Sequence, residues 1–212
     1  MASWIKKSFD ATGVTEYPAG AGLDELQKQF GGGSVILALD VSGSMGSNDA
    51  GVGRNTQRLS QAVLGCKAFV REAVEARYEV GLILWDHGVV GSVAPDPSPA
   101  GALRLLDAAV VSGGTDVLPC LNLAHSILLS DPRNDMVVAI FGDGDLGDLS
   151  AAKAKAAELA ADNIRIITCG LGDSSAETLA EISTEKSEVP RTASNDSIVE
   201  SIASMAKGLV RK

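Results

Sequence analysis

The chain is predicted to be an α/β protein with a mostly parallel sheet covered by helices on both faces, and three observations carry that expectation. Four short runs, Ser34–Asp40, Tyr78–Trp85, Met136–Phe141 and Ile164–Cys169, are apolar on nearly every position instead of every second one, as strands buried on both faces must be. Between them lie segments whose apolar residues recur every three or four positions, the spacing of an amphipathic helix. Strand and helix therefore alternate, and that order builds a doubly wound sheet. The length of 212 residues fits one domain able to bury a substantial core.

Residues 1–33 read differently from the rest. They mix polarity, carry Tyr17-Pro18 and Gly20-Ala21-Gly22, and end in Gly31-Gly32-Gly33. Leu23–Phe30 has room for two helical turns, and the segment is expected to be an N-terminal extension that packs on the domain of residues 34–212 or on a partner. The first strand is Ser34–Asp40. A helix over Leu59–Ala76 follows, with Leu59, Val63, Cys66, Val70 and Val74 as its apolar stripe. Tyr78–Trp85 is the next strand. Val89–Val93 is its short antiparallel companion across the tight turn Asp86-His87-Gly88.

Pro99–Ala109 is expected to be helical. Asp116 can cap a helix that runs to about Leu129, with Leu118, Leu121, His125 and Leu128 on one face. Beyond the strand Met136–Phe141, Asp148 is placed to cap an Ala-rich helix over Leu149–Asp162. After Ile164–Cys169, Ser174-x-x-Glu177 matches a capping box for a helix to about Ser183. Val189–Ala193 reads as an edge strand because Pro190 cannot donate to a ladder. The last helix starts near Asn195-Asp196 and presents Ile198, Ile202, Met205 and Leu209.

The chemistry concentrates at three strand ends. Asp40-Val41-Ser42-Gly43-Ser44 directly follows the first strand and gathers one carboxylate and two hydroxyls where open α/β sheets bind ligands. Hard oxygen donors of this kind suit a small hydrated divalent cation. Ser112-Gly113-Gly114-Thr115-Asp116 and Phe141-Gly142-Asp143-Gly144 add a third hydroxyl and a second carboxylate. The run Asp143-x-Asp145-x-x-Asp148 lacks the Gly and the distal Glu of an EF-hand calcium loop. Asp148 is better read as a helix cap and Asp145 as a rim residue.

Asp-x-Ser-x-Ser, then Thr115, then Asp143, each in its expected strand context, resembles the metal-ion-dependent adhesion site (MIDAS) of von Willebrand factor A (vWA) domains. The resemblance spans roughly Gly33 to Leu209. It implies a Rossmann-like, doubly wound sheet of six strands ordered 3-2-1-4-5-6, with the short companion strand antiparallel at one edge. It also implies a site in which Ser42 and Ser44 ligate Mg2+ or Mn2+ directly, Asp40 and Asp143 act through water, and Thr115 ligates directly or through water. The open coordination position would then take an Asp or Glu from a partner protein. One departure is Gly142, where family members usually carry Thr.

The remaining inferences are largely exclusions. A net charge of −9 argues against nonspecific binding to nucleic acid or an anionic membrane. Cys66, Cys120 and Cys169 are too far apart for a zinc site and are expected to be small buried hydrophobes. Lys6-Lys7 is not followed by the apolar core of a secretory leader, so the expected location is the cytoplasm, and the expected state a monomer. No Gly-x-Ser-x-Gly elbow or phosphate loop is present. Of the two histidines, His125 shares a face with leucines. The expected function is a non-catalytic interaction domain, with a metal-stabilised structural subunit or a metal-dependent hydrolase as alternatives. Lone domains of the family resemble bacterial members that work beside AAA+ ATPases or in stress operons, which suggests a partner of that kind.

Overall fold

The computed structural model describes residues 32–172, 176–185 and 192–209. Its centre is a sheet in the order β3-β2-β1-β4-β5-β6, built from β1 (Gly33–Asp40), β2 (Tyr78–Trp85), β3 (Val89–Asp96), β4 (Met136–Gly142), β5 (Ile164–Leu171) and a two-residue β6 (Thr192–Ala193). All neighbours pair in parallel except β2 and β3, which form an antiparallel hairpin. The α/β class and the strand order agree with expectation. The sixth strand is reduced to two rungs on β5, Gly170 against Thr192 and Leu171 against Ala193.

Every residue of β1 is buried, because β2 and β4 flank it and helices cover both faces. The pleat then divides the core by parity. Val35, Leu37 and Leu39 face one cluster with Val80, Leu82, Val137 and Phe141, covered by α1 (Arg58–Glu75), α2 (Ala100–Asp107) and α6 (Ile198–Met205). Ile36 and Ala38 face the other with Ile83, Trp85, Val138 and Ile140, under α3 (Leu118–Ser130), α4 (Leu149–Ala161) and α5 (Ala176–Ala180). Phe69 and Phe141 meet edge to face at 5.8 Å, which adds about 1 kcal/mol to what their burial contributes.

The expected α1 stripe is corrected in detail. The buried residues are Leu59, Ala62, Gly65, Cys66, Phe69, Val70 and Ala73, whereas Val63 and Val74 are only partly buried. Small residues line this face because α6 crosses so closely that a Cβ on Gly65 would stand 2.9 Å from Ile202 Cβ. On α3 the buried face is Cys120, Leu121, Ala124 and Leu128, with Leu118 and His125 at its margin.

β3 runs three residues past the expected Val93 as an exposed–intermediate alternation, the pattern of an edge strand with one covered face. The helix expected to reach Ser183 stops at Ala180. From there Glu181, Ile182 and Ser183 donate to carbonyls three residues back, so the chain tightens out of α-helical pitch. Ser174 of the expected capping box lies outside the described residues, as do Leu23–Phe30 and residues 189–191 of the expected edge strand. Asp148 caps α4 as expected, accepting from Ala151 N at 3.1 Å. No described helix is long and apolar enough to cross a membrane.

Candidate functional site at the strand ends

β1 delivers Asp40 to the C-terminal edge of the sheet with its side chain fully buried. One carboxylate oxygen, Oδ1, accepts from the Ser42 backbone N–H at 2.8 Å. The other, Oδ2, is buried and has no hydrogen-bond partner, and the Trp85 indole N–H shares that condition. Burial raises the Asp40 carboxyl to about 6, and the nearby Asp143 charge adds to the rise, while hydrogen bonding from Ser42 and, least, from the Asp143 backbone opposes it. A buried acceptor left without a partner is expensive, so this oxygen is an observation that needs a counterpart.

The chain after Asp40 folds into a single turn of 3-10 helix over Gly43–Gly46, with Met45 N donating to Ser42 O at 3.0 Å. Met45 is fully buried and anchors the turn. That anchorage leaves the Ser42 and Ser44 hydroxyls side by side, 3.1 Å apart.

Two more loops lock onto this turn. Ser112 N donates to Val41 O at 2.7 Å and Gly43 N to Gly113 O at 3.1 Å, which fixes the Thr115 loop against the motif's backbone. Asp86 holds that loop at both ends: its carboxylate accepts from Ser112 Oγ at 2.9 Å, and its carbonyl accepts from Asp116 N at 2.7 Å. Gly113 has no room for a side chain, since a Cβ there would lie 2.7 Å from His87 Nδ1. The loop after β4 packs on the same segment. Gly147 sits at φ +71° with its Cβ position 2.9 Å from Thr115 O, and Val117 N donates to Leu146 O.

The structure thus brings Asp40, Ser42 and Ser44 into one hydrogen-bonded group with Asp143 beside Asp40. Thr115 is half-buried in the loop that clamps the motif, and its side chain takes part in none of these bonds. Asp143 has a side chain only 7% exposed and lies 3.4 Å from Arg58 Nη1. Arg58 also forks onto Asp49, with Nη2–Oδ2 at 2.5 Å and Nε–Oδ1 at 3.3 Å. Among the described residues no three His, Cys, Asp or Glu side chains are grouped to hold a metal. The donor set here is instead two carboxylates with neighbouring hydroxyls. Those hard, partly neutral oxygens and the orphaned Asp40 Oδ2 fit a small divalent cation.

Sequence reasoning passed over two groups. Asp86, read only as part of the tight turn after β2, is buried and also holds the Ser112 loop, whereas His87 is 73% exposed and pairs with Asp86 at 3.1 Å. Asp148 caps α4 as expected, and Asp145 accepts from Gly147 N. Arg58 was missed because its partner Asp143 is 85 residues away. The only local signal was a basic residue opening a helix just after a loop containing Asp49.

Residues 35–145 match the model of the von Willebrand factor type A domain, which is more than half of the chain. The chain belongs to the vWA domain family. Among solved structures it is similar to the vWF domain of the type V pili tip protein Mfa5 from Porphyromonas gingivalis, with TM-score 0.68, 14% identity, and coverage of 84% of this chain and 96% of that one. BatB from Bacteroides thetaiotaomicron is similar at TM-score 0.55 and 21% identity, with 82% and 86% covered. So is proximal thread matrix protein 1 of the mussel byssus, in a structure with a zinc-occupied MIDAS motif, at TM-score 0.63 and 16% identity. There 84% of this chain covers 45% of that chain. At such identities the likeness is one of fold. No curated protein sequence matches the chain.

Proposed function

We propose that this vWA domain is a non-catalytic recognition module that binds an acidic side chain of a partner protein through Mg2+, or Mn2+, at a MIDAS formed by Asp40, Ser42, Ser44, Thr115 and Asp143. The observation that carries the reading is the buried, partnerless Asp40 Oδ2 beside the paired hydroxyls of Ser42 and Ser44. Ser42 and Ser44 would ligate through neutral oxygens. Asp40 and Asp143 would act from behind, accepting hydrogen bonds from metal-bound water, and Thr115 would complete the set from its clamped loop. The cation would supply an electron-poor coordination position for a partner's carboxylate, because few anionic ligands touch it directly.

The rim supports recognition by protein. Val52 is 93% exposed on the loop after the motif, held out by Gly51, Gly53 and Arg54, all at positive φ. His87 stands on the neighbouring loop. A hydrolytic reading finds little support in the titratable groups nearby. Asp86 is committed to Ser112 and Gly88, and His125 is on α3, bonded to Asp162 at 2.8 Å. The proposed setting is the cytoplasm, with a protein such as an AAA+ ATPase or a stress-operon product as partner, as for the bacterial lone domains it resembles.

The test is capture of partners from a cell extract with the full chain in Mg2+ or in EDTA, repeated with Ser44→Ala and Thr115→Ala. Partners lost in EDTA and in both variants, with the fold intact by circular dichroism, support the reading. Capture that persists unchanged in EDTA refutes it. A purely structural role for the cation would appear as lower stability of Asp40→Ala without any change in capture.

A further inference from the structure

We propose that Arg58 is a resident cation of this site that competes with the divalent ion for Asp143 and so sets the metal affinity of the domain. The inference rests on the metal-bridged reading above and deepens it.

Arg58 is the first residue of α1, and its side chain is only 14% exposed. Its guanidinium has three arms in use: Nε and Nη2 grip Asp49, and Nη1 points at Asp143 Oδ2. The group sits on a shaped shelf. Gly172, at φ +121°, leaves open the space its Cβ would occupy, 3.5 Å from Arg58 Cζ and 3.6 Å from Nη2. Asn195, almost fully buried and with an unpartnered Oδ1, borders the same space, and its carbonyl accepts from Gly51 N at 2.7 Å. Arg58 is therefore bonded to the loop that carries Asp49 and Ser47, lies beside Gly172 just past β5, and reaches Asp143 from there.

Charge decides what this arrangement does. Asp143 lies near Asp40 on one side and on the other shares the Arg58 guanidinium with Asp49. Asp143 is too buried to be neutralised well by water, and a nearly buried carboxylate without a cation is strongly unfavourable. Arg58 supplies that cation when no metal is bound. A guanidinium is a permanent charge, so an incoming divalent ion meets a fixed positive neighbour on the carboxylate that would accept from its bound water. Asp49 is the counterweight: by holding two of the guanidinium's arms it limits how far Arg58 leans onto Asp143. The same pair connects the exposed Val52 loop to the state of the site.

The test is calorimetric titration of the full chain with MgCl2 and MnCl2, for wild type, Arg58→Gln, Arg58→Lys and Asp49→Asn. Each protein's fold is checked by its melting curve in EDTA. Removing the charge with Arg58→Gln should tighten binding by about 10-fold, the scale expected when one unit charge near a divalent ion is removed from a partly screened medium. Arg58→Lys should stay within about 2-fold of wild type, because the charge is kept. Asp49→Asn should weaken binding by about 3-fold or more, since the released guanidinium turns to Asp143.

A merely structural clamp predicts something else: both Arg58→Gln and Asp49→Asn break the same ion pair and would shift affinity in the same direction. Unchanged or weaker binding by folded Arg58→Gln overturns the inference and leaves the MIDAS reading standing. If Arg58→Gln does not fold, binding by Asp49→Asn as tight as wild type or tighter overturns it equally. Absence of binding by wild type to either ion removes the metal reading and this inference together.

Discussion

Asp40→Asn in EDTA isolates the energetic burden of the empty site. The substitution keeps the shape of the side chain and an oxygen to accept the Ser42 N–H, but removes the charge. In the unfolded chain the Asp40 carboxyl loses its proton near the ordinary value of 3.8, while in the folded domain burial holds it until about 6. Between those values the folded state binds more protons, so this group's contribution to stability is present below about pH 4 and is lost as pH rises toward 6. The rise from 3.8 to about 6 corresponds to about 3 kcal/mol at pH 7.

The new Asn N–H2 would stand where Oδ2 is now orphaned and gives back about 1 kcal/mol as an unpaired donor. The expected net gain is therefore about 2 kcal/mol at pH 7, or about 4–8 °C in Tm for a domain of this size. Thermal melts of both proteins in EDTA should show the variant more stable at pH 7 and the difference closing by pH 4. In Mg2+ the order should invert, because wild type gains about 2.7 kcal/mol at 100-fold the Kd and the variant does not. A variant equally destabilised at pH 4 and pH 7 would refute the reasoning, since Asp40 would then be well solvated or well bonded in the folded state.

Other substitutions probe the frame around the site. Gly65→Ala sets a gain in helix propensity of about 1 kcal/mol against a Cβ placed 2.9 Å from Ile202 Cβ and 3.2 Å from the Val199 backbone. Neither contact can swing aside, so a net loss of about 1–2 kcal/mol in urea unfolding is expected. Tyr78→Phe removes a hydroxyl 2.5 Å from Asp135 Oδ2 and 2.7 Å from Leu209 O. It should cost about 1–3 kcal/mol, with amide exchange increasing first around residues 205–209. Gly142→Ala puts a Cβ 3.0 Å from Asp40 Oδ2 and 3.1 Å from Asp40 Cβ. It should lower stability by about 1 kcal/mol and reduce the Mg2+-induced rise in Tm. Native Cys66 and Cys120, buried and with thiols pushed up by that burial, should react with a thiol reagent only on unfolding.

What could be read from the sequence was what depends on near neighbours. β2 begins at Tyr78 and ends at Trp85 as expected because every position but Glu79 is apolar or glycine. Asp148 announces α4 because an N-cap bonds three residues ahead. The run Asp40-x-Ser42-x-Ser44 could be picked out for the same reason and the fold sets Asp143 near Asp40, whereas Thr115 was named by the family resemblance alone. The buried stripe of α1 was misjudged because large residues were counted, whereas α6 selects for Ala62, Gly65 and Ala73 by its close approach. Asp86 was legible as a turn residue, and only the fold shows that Ser112 also bonds to it. Arg58 was invisible for a related reason: a helix-opening Arg after an acidic loop reads as a local ion pair, and nothing near it points to Asp143.

The position of Asp40 also explains why the site needs an internal cation. The pleat sends Asp40 to the same side as Ile36 and Ala38, into the cluster that contains Trp85, so the strand that delivers the carboxylate also denies it water. Moving the motif one residue along β1 would put Asp40 in the register of Leu39 and exchange the two faces. The charge would then fall among Phe69 and Phe141, far less able to offer a ligand. In the actual register the carboxylate sits at the last rung of β1, opposite Trp85 of β2, with β4 ending at Gly142 on its other side. Gly142 matters here because any side chain would press on Asp40 Oδ2, and its absence leaves that oxygen's approach unfilled. A fold that concentrates negative charge in such a place is stable only if some positive charge is always near, which Arg58 provides at Asp143 without reaching Asp40. On the proposed reading, the partnerless Asp40 Oδ2 is what a second, mobile cation would answer.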